Sequence, residues 1–298
     1  NISNKNNSEL ASFLRSIGID VLIDMNGFVG KGRVEIFNSR VCTLQISWLG
    51  YNNTIGLNHS DYLIADKNLI FEKEKDLYQE KIIYLDEIWS SHSGLNIERK
   101  YNQLPSQISD TFTLGSFNNY SKISDDTVEV WSEILKKIDN SRLILKSSVT
   151  HSEIHFKELF EKEGVLNKVI FKTRSKNFAD HINLYKDIDL CLDTFPYTGV
   201  TTTCEALWMN VPVISLAGFN FNSRCGESIL INSDLKDLVA KNKDDYISKV
   251  VSLANDTDKL KKIRQFIFDE ILKTNTFNTK KFAANFWKSI LDTYTNHK

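Results

Sequence analysis

The segment Asp193–Trp208, which reads DTFPYTGVTTTCEALW, combines residue types that suit a phosphate group. Asp193 ends a strand-like apolar run, and a loop with one proline and one glycine separates it from a predicted helix. That helix opens with three hydroxyl residues, Thr201, Thr202 and Thr203. The first N–H groups of a helix have no partner within it and lie at the positive end of its dipole. With the hydroxyls they suit a diphosphate and require no metal.

Glu205 lies about one turn further along the same predicted helix. A carboxylate there can accept two hydrogen bonds from the 2′,3′-diol of a ribose. A simpler interpretation fits the spacing equally well: Thr201 caps the helix, and Glu205 is a favourable charge near its start. The spacing alone leaves both interpretations open.

Two further side chains are predicted at the same edge of the sheet. Lys122 follows the strand-like run TFTLGSF and precedes a helix that opens at Ser124. Ligands of open α/β sheets bind beyond the carboxyl ends of the strands, and a lysine there can neutralise charge on a departing diphosphate. His181 lies in the helix before the strand that ends at Asp193. It could stack on a base or bind a phosphate, although a lone helical histidine is more often a packing residue.

Three other patterns have simpler interpretations. His151 and His155 have a spacing that fits two metal ligands on one helix, but no third ligand is evident. The segment Asp187–Asp189 matches an Asp-x-Asp motif that can hold a metal, yet it introduces a buried strand. The pair Asp125–Asp126 is most simply the start of a helix.

The elements that must position these residues alternate between short apolar runs and amphipathic helices, a pattern that predicts an α/β fold with two Rossmann-like lobes. The predicted strands cover 20–25, 42–48, 61–66, 81–85, 111–117, 142–146, 169–171, 188–192 and 212–216. The predicted helices cover 9–17, 124–138, 152–164, 178–186, 201–209, 223–231, 244–254, 257–272 and 279–294.

The polar stretch Tyr101–Asp110, which contains Pro105, is interpreted as an interdomain linker. It predicts an N-terminal lobe over 1–105 and a C-terminal nucleotide-binding lobe with closing helices over 106–298. The second part has enough predicted strands for a complete nucleotide-binding domain. The first part has too few, so we expect it to be a partial lobe.

The composition excludes several classes of protein. Lys and Arg number 37 against 38 Asp and Glu, a net charge of -1, which argues against a nucleic-acid partner. No apolar run approaches the roughly 18 residues that a membrane span requires, so no membrane association is expected. The four cysteines are widely spaced, without a Cys-x-x-Cys pair, which favours a reducing, cytoplasmic environment.

Five segments carry a resemblance to one family. They are FNNYSK from Phe117, CLDTFPYTGVTTTCEALW from Cys191, SRCGESIL from Ser223, IDVLIDMNGF from Ile19 and QISWLGYNNTIG from Gln45. Over nearly the whole chain and in the same order, they resemble the catalytic region of the O-linked N-acetylglucosamine transferase and SPINDLY-like glycosyltransferase family, bacterial members above all.

The resemblance implies a GT-B fold and an inverting transfer of GlcNAc from UDP-GlcNAc to Ser or Thr hydroxyls of a protein acceptor, with no metal or other cofactor. Lys122 matches the family's catalytic lysine on the donor diphosphate. The remaining implied nucleotide-sugar-binding residues are Asn119, His181, Thr201, Thr202 and Glu205, and we add Thr203 from its place at the helix start. No residue is assigned as the general base.

Two alternatives stay open at this point. The chain could be a truncated nucleotide-binding fragment without turnover, which binds UDP but transfers no sugar. It could also be a relative that uses another donor, either UDP-glucose for transfer to Asn or GDP-fucose for transfer to Ser or Thr.

Overall fold

The computed structural model describes residues 2–146 and 153–297. The chain divides into two compact units. The first consists of 1–91 together with 279–298, and the second of 92–278.

The first unit is built on a parallel four-stranded sheet with the order β1-β2-β3-β4. Its strands are β1 (Val21–Asp24), β2 (Leu44–Ser47), β3 (Tyr62–Asp66) and β4 (Lys81–Leu85). The chain adds each new strand beside the last one, so no neighbouring pair of strands sends its loops in opposite directions. The order therefore creates no crevice of the kind that nucleotides occupy.

Helices α1 (Asn7–Ser16) and α10 (Thr279–His297) belong to this unit. Asn6 caps α1, because its side chain accepts a hydrogen bond from the N–H of Glu9. On α10, Phe286 and Ile290 pack against the buried side chains of the sheet. Each such buried side chain contributes about 1.5–3 kcal/mol by leaving water, which explains why the end of the chain folds with its beginning.

The second unit contains a parallel six-stranded sheet with the order β10-β9-β8-β5-β6-β7. Its strands are β5 (Phe112–Ser116), β6 (Ser141–Lys146), β7 (Val169–Lys172), β8 (Leu190–Leu192), β9 (Val213–Leu216) and β10 (Val239–Ala240). From β5 the chain builds outward to β7, and it then returns to place β8 on the other side of β5. This is the strand order of a doubly wound nucleotide-binding domain.

Helices precede, connect or follow these strands. They are α2 (Ser106–Ser109), α3 (Asp125–Lys137), α4 (Glu153–Lys162), α5 (Phe178–Asn183), α6 (Thr201–Trp208), α7 (Phe221–Ile231), α8 (Lys243–Asn255) and α9 (Thr257–Glu270). At the start of α3, the side chain of Ser124 accepts a hydrogen bond from the N–H of Thr127, so the predicted helix start at Asp125–Asp126 is confirmed.

The division of the chain differs from the predicted one at two places. The segment after Ser91 already belongs to the second unit, because Arg99 donates hydrogen bonds to the carbonyls of Trp208, Ile267 and Phe268. The predicted boundary at residue 105 follows the polar composition, which carries no trace of these contacts. Helix α10 was predicted with the second lobe but folds with the first unit. That the first lobe is a partial one stays a prediction.

The predicted α/β class with Rossmann-like sheets is confirmed, and each predicted strand is present. Two short elements, α2 and β10, were not predicted, because neither is long enough to show a hydrophobic period.

Candidate functional site

The second sheet has one place where consecutive loops diverge, at the carboxyl ends of β5 and β8. Crevices at such positions hold the ligands of doubly wound sheets. The loop after β5 leads to Lys122, and the loop after β8 leads to Thr201. The strand order thus brings together the two segments that the sequence singled out independently.

Asn118 joins the two loops. Its Nδ2 donates to Oδ1 of Asp193 at 3.1 Å and to Oγ1 of Thr194 at 3.0 Å. Its Oδ1 accepts a hydrogen bond from Oγ1 of Thr202 at the start of α6. One buried amide therefore sets the distance between the end of β5 and the start of α6.

Asp193 fixes the shape of the loop that follows it. Its Oδ1 accepts a hydrogen bond from the N–H of Gly199 at 2.7 Å, and its Oδ2 accepts one from Oγ of Ser215 at 2.7 Å. Burial raises the pKa of Asp193 to about 6, although these hydrogen bonds and the charge of Lys122 oppose the increase. The loop therefore bends around a buried carboxylate instead of projecting into solvent.

Helix α6 starts without a side-chain cap, because no cap hydrogen bond is made at Val200. The first N–H groups of a helix have no partner within it, and the N–H of Cys204 is the one that reaches back to the carbonyl of Val200. Thr201 is exposed and Thr202 is half-buried, so both can reach a ligand. The start of α6 therefore has the properties of an anion site.

Thr203 differs from its two neighbours because its side chain is buried. A Cβ built on Gly199 would lie 3.0 Å from its Oγ1, so this hydroxyl faces the loop. Its predicted role as a ligand-binding side chain stays a prediction. The period of the helix turns position 203 inward, and only its backbone N–H stays at the helix start.

Lys122 lies beside the loop after β8, as predicted. Its Nζ donates to the carbonyl oxygen of Thr198 at 2.9 Å and lies 4.0 Å from the ring centroid of Tyr197. Burial lowers the pKa of Lys122, while the negative charge of Asp193 acts in the opposite direction. The ammonium group is held at the rim by a carbonyl and a π face and not by a salt bridge with its neighbour.

Asn119 is exposed three residues before this lysine, and its Oδ1 accepts a hydrogen bond from the N–H of Ser121. This contact starts a short 3₁₀ turn, Tyr120–Lys122, that aims the lysine at the loop after β8. The structure therefore gives Asn119 a positioning contact, and its predicted contact with the ligand stays a prediction.

Glu205 and His181 lie together on the inner side of α6. Oε2 of Glu205 is 3.0 Å from Nε2 of His181, and it accepts a hydrogen bond from the hydroxyl of Tyr185 at 3.2 Å. The Glu205 side chain is 7% exposed. One oxygen of the carboxylate is therefore already bound by two side chains of the protein, and the predicted contact of Glu205 with a ribose stays a prediction.

A cavity of about 400 Å³ opens beside His181. It is lined by Phe117, Asn119, Lys146, Arg174, Ser175, Lys176, Asn177, Phe178 and His181. The lining combines aromatic surface with amide and cationic groups. Such a lining suits a flat heteroaromatic ring with hydrogen-bond acceptors at its edge.

The sequence matches the model of glycosyl transferase family 41 over residues 2–91 and 90–286. The chain belongs to this family. Its two matched segments meet at the division between the two units.

The relatives of this family 41 chain are named for sugar transfer. It is 32% identical over 291 residues to the probable UDP-N-acetylglucosamine–peptide N-acetylglucosaminyltransferase SPINDLY of Arabidopsis thaliana, which covers 94% of this chain and 32% of that protein. Its structure matches a mutant O-GlcNAc transferase of Thermobaculum terrenum with a TM-score of 0.93 and 26% identity, covering 100% of this chain and 57% of that one. The chain thus spans about a third of the curated relative.

A third comparison concerns the fold alone. A pneumococcal O-GlcNAc transferase in complex with UDP and GlcNAc matches with a TM-score of 0.58 and 15% identity, covering 97% of this chain and 60% of that one. The GT-B class that the resemblance implied is confirmed.

Two alternative metal sites in the family 41 chain are explained by other contacts. Oδ1 of Asp189 accepts hydrogen bonds from the N–H and the hydroxyl of Ser106, and Oδ2 accepts one from the N–H of Thr113. The second carboxylate of the Asp-x-Asp motif is therefore occupied by two backbone N–H groups and one hydroxyl of the protein. His155 pairs with Asp125 at 2.9 Å, and its predicted neighbour His151 lies outside the described residues.

Within residues 2–146 and 153–297, no group of three or more His, Cys, Asp or Glu side chains could hold a metal ion. Over the same residues, no helix is both long and apolar enough to cross a bilayer.

The sequence analysis missed two residues of the site, Asn118 and Lys146. It named Asp193 but not its role in shaping the loop. Each follows the last apolar residue of a strand in the second sheet, or ends it, so each carries the same signal that identified Lys122. Applying the strand-end rule to every strand, instead of to the motif-bearing ones, would have found them.

Proposed function

We propose that this chain carries the donor site of an inverting glycosyltransferase that moves GlcNAc from UDP-GlcNAc to Ser or Thr hydroxyls of a protein. The observation that carries the proposal is the contact between Lys122 and the loop that leads into the uncapped start of α6. A cation and a helix N-terminus meet there at the topological switch point. The names of the family 41 relatives support the choice of donor and acceptor.

In this proposal the diphosphate of the donor lies at the start of α6. The backbone N–H groups of Thr201, Thr202 and Thr203 bind its oxygens, and the hydroxyl of Thr201 adds a further donor. The hydroxyl of Thr202 adds another when it turns from Oδ1 of Asn118 to the diphosphate. Lys122 balances the charge that grows on the diphosphate as the bond to the sugar breaks. Such preorganised charge typically contributes the largest share of catalysis.

The nucleoside lies in the cavity beside His181, whose imidazole is one wall. Glu205 is close enough to hold the ribose through the oxygen that His181 and Tyr185 do not use. The ring of the base then stacks on aromatic surface, and the cationic lining contacts its carbonyl oxygens.

The chemical step forms one bond and breaks one. The acceptor hydroxyl oxygen attacks the anomeric carbon of the sugar from the face opposite the diphosphate, and the bond between that carbon and the diphosphate oxygen breaks, so the configuration inverts. The hydroxyl proton leaves to a base that we do not assign, and the electron pair of the broken bond stays with UDP, which Lys122 stabilises.

Calorimetry with UDP tests the donor site. We expect binding by the unmodified chain, and a loss of about tenfold or more in affinity for Lys122→Ala and for Thr202→Ala, because each change removes a donor to the diphosphate. Thr257→Ala is the matched control, since Thr257 opens a different helix of the same unit. The site assignment fails if UDP does not bind, or if all three variants bind it equally well.

Incubation with labelled donors and a protein acceptor tests the transfer. Label transferred from UDP-GlcNAc to Ser or Thr supports the proposal. Label transferred from UDP-glucose or GDP-fucose instead would show that the chain uses that other donor. UDP binding without any transfer would favour a nucleotide-binding fragment.

We propose no metal or other cofactor for this reaction. Transfer that is unchanged in a chelator supports this part, and complete loss of transfer would overturn it. The four cysteines are free, three of them buried, which supports a reducing compartment, and we propose the cytoplasm.

A further inference from the structure

Lys146 lies at the carboxyl end of β6. In the sheet this strand is two positions from β8, the strand that α6 follows, and none of the sequence motifs described above includes Lys146. It is 8% exposed, which is unusual for a lysine. It lines the same cavity as His181. A buried lysine beside a cavity needs a partner for its charge, and Lys146 contacts the imidazole of His181.

The contact determines how protons are arranged on the histidine. Nζ of Lys146 lies 2.8 Å from Nδ1 of His181. An ammonium group can only donate hydrogen bonds, so Nδ1 must be the accepting, unprotonated nitrogen. The proton of the neutral ring is then on Nε2, which donates to Oε2 of Glu205 at 3.0 Å.

Both nitrogens of His181 are therefore used by the protein. The ring is also surrounded by aromatic side chains: the centroids of Phe117 and Tyr185 are each 5.9 Å away, and that of Phe178 is 6.1 Å away. These contacts restrict rotation of the imidazole. What the ring can offer to a ligand in the cavity is its π surface and not a nitrogen.

The arrangement also balances charge. Glu205 is a buried carboxylate, and Lys146 is a buried ammonium on the other side of one imidazole. Burying either charge without the other would cost several kcal/mol. Burial lowers the pKa of Lys146, whereas the carboxylate of Glu205 acts in the opposite direction.

We propose that Lys146 is a positioning residue: it holds His181 as the Nε2-protonated neutral tautomer, so that the imidazole stacks on the base of the donor and takes no part in proton transfer. The tautomer follows from the contacts of the protein itself. The stacking role rests on the proposed nucleotide-sugar function.

Nitrogen NMR on protein labelled at histidine tests the tautomer directly, because a protonated and a lone-pair imidazole nitrogen resonate far apart. We expect the unmodified protein to show a proton on Nε2 of His181. We expect Lys146→Met to lose this single form, because Nδ1 has then lost its donor. Lys146→Arg keeps a donor-only cation and should preserve the tautomer.

UDP binding by calorimetry provides the second measurement. The expected loss is about tenfold for Lys146→Met, with most of it restored in Lys146→Arg. The control is Lys172→Met, since Lys172 is the register partner of Lys146 at the end of β7 and carries the same charge. In this variant the tautomer of His181 should be unchanged, and the affinity for UDP should be within about twofold of that of the unmodified protein.

The proposal is overturned if the unmodified protein carries the proton on Nδ1. It is also overturned if Lys146→Met keeps both the tautomer and the affinity of Lys172→Met. A chain that binds no UDP at all would refute the proposed function, while the NMR spectrum would still decide whether Lys146 sets the tautomer. If Lys146→Met does not fold, the unmodified protein and Lys146→Arg still give a decisive spectrum.

Discussion

Two buried aspartates lie at the two ends of β8, and each has a cation nearby. At the amino end, Asp189 accepts hydrogen bonds from Ser106 and Thr113, and Arg264 donates to the carbonyls of Ile188 and Asp189. At the carboxyl end, Asp193 accepts hydrogen bonds from the loop that leads to α6, and Lys122 lies at the rim of that loop.

The two ends differ in what the cation can do. Arg264 is fully buried and is bound to the backbone of the strand, so its charge is unavailable to a ligand. Lys122 is half-buried and is held by one carbonyl and one aromatic ring, contacts that a diphosphate can replace. The same pair of charge types therefore stabilises the fold at one end of the strand and prepares a ligand site at the other.

The largest effect is expected from Lys122→Met. Transfer should fall about 100- to 1000-fold, the usual loss when one preorganised donor to a developing charge is removed. The unfolding free energy should change by less than about 1 kcal/mol, because the lysine forms no buried salt bridge. Rates with labelled donor and urea denaturation measure the two quantities. A transfer rate like that of the unmodified chain would show that Lys122, at the carboxyl end of β8, contributes no more to transfer than a structural cation does.

Arg264→Met should have the opposite result. The unfolding free energy should fall by about 3 kcal/mol, since two carbonyls lose their donor and Asp189 loses its nearby charge. Transfer per folded molecule should stay within about twofold. Urea denaturation and rates corrected for the folded fraction check both. A specific loss of transfer without loss of stability would contradict the assignment of a structural role.

Asp193→Ala should weaken UDP binding by about thirtyfold. The change leaves the N–H of Gly199 without an acceptor and removes one of the two acceptors of the Asn118 amide, so the loop before α6 loses its fixed shape. Asp189→Ala is the matched control: it should lower stability but leave the affinity for UDP within about twofold. Calorimetry at a temperature where both variants are folded compares the two affinities for UDP. Equal affinities would show that Asp193 has no greater part in UDP binding than Asp189.

The smallest effect is a dependence of stability on pH. Burial raises the pKa of Asp193 from 3.8 to about 6, so between about pH 4 and pH 6 the folded chain holds a proton that the unfolded chain has released. The unfolding free energy should therefore fall by about 1–2 kcal/mol as the pH rises through this window.

Asp193→Asn tests the source of that pH dependence. The amide keeps an acceptor for Gly199 and donates to Ser215, but it does not titrate. Denaturation series at several pH values should show a smaller decrease for this variant than for the unmodified chain. Identical series would assign the effect to other groups.

The order of the elements and most of their bounds could be predicted from the sequence. Apolar runs and helical periods report which residues are buried, and the rule that ligands bind beyond the carboxyl ends of strands predicts Lys122 at the same edge of the sheet as the loop after Asp193. The predicted boundary at 105 failed for a physical reason. The polar segment after Ser91 is fastened to the second unit by Arg99, whose partners are more than a hundred residues away in the chain.

The inner half of the site was beyond the sequence for a similar reason. A helical period does not report which groups pack against positions 203 and 205. The partners of Glu205 are His181 and Tyr185, which come from the preceding helical segment. A pattern along one element cannot report a contact between two.

The α/β class, the family 41 motifs and the two segments that meet at the proposed donor site follow from the sequence, because each depends on residue types and on periods along the chain. The tertiary structure alone decided that Thr203 faces inward, that α10 completes the first unit, and that Lys146 and Glu205 hold His181 between them. Those features depend on which surfaces meet in the folded chain. The free energy of burying a charge or an apolar face depends on both partners of the contact, and the second partner is distant in the sequence.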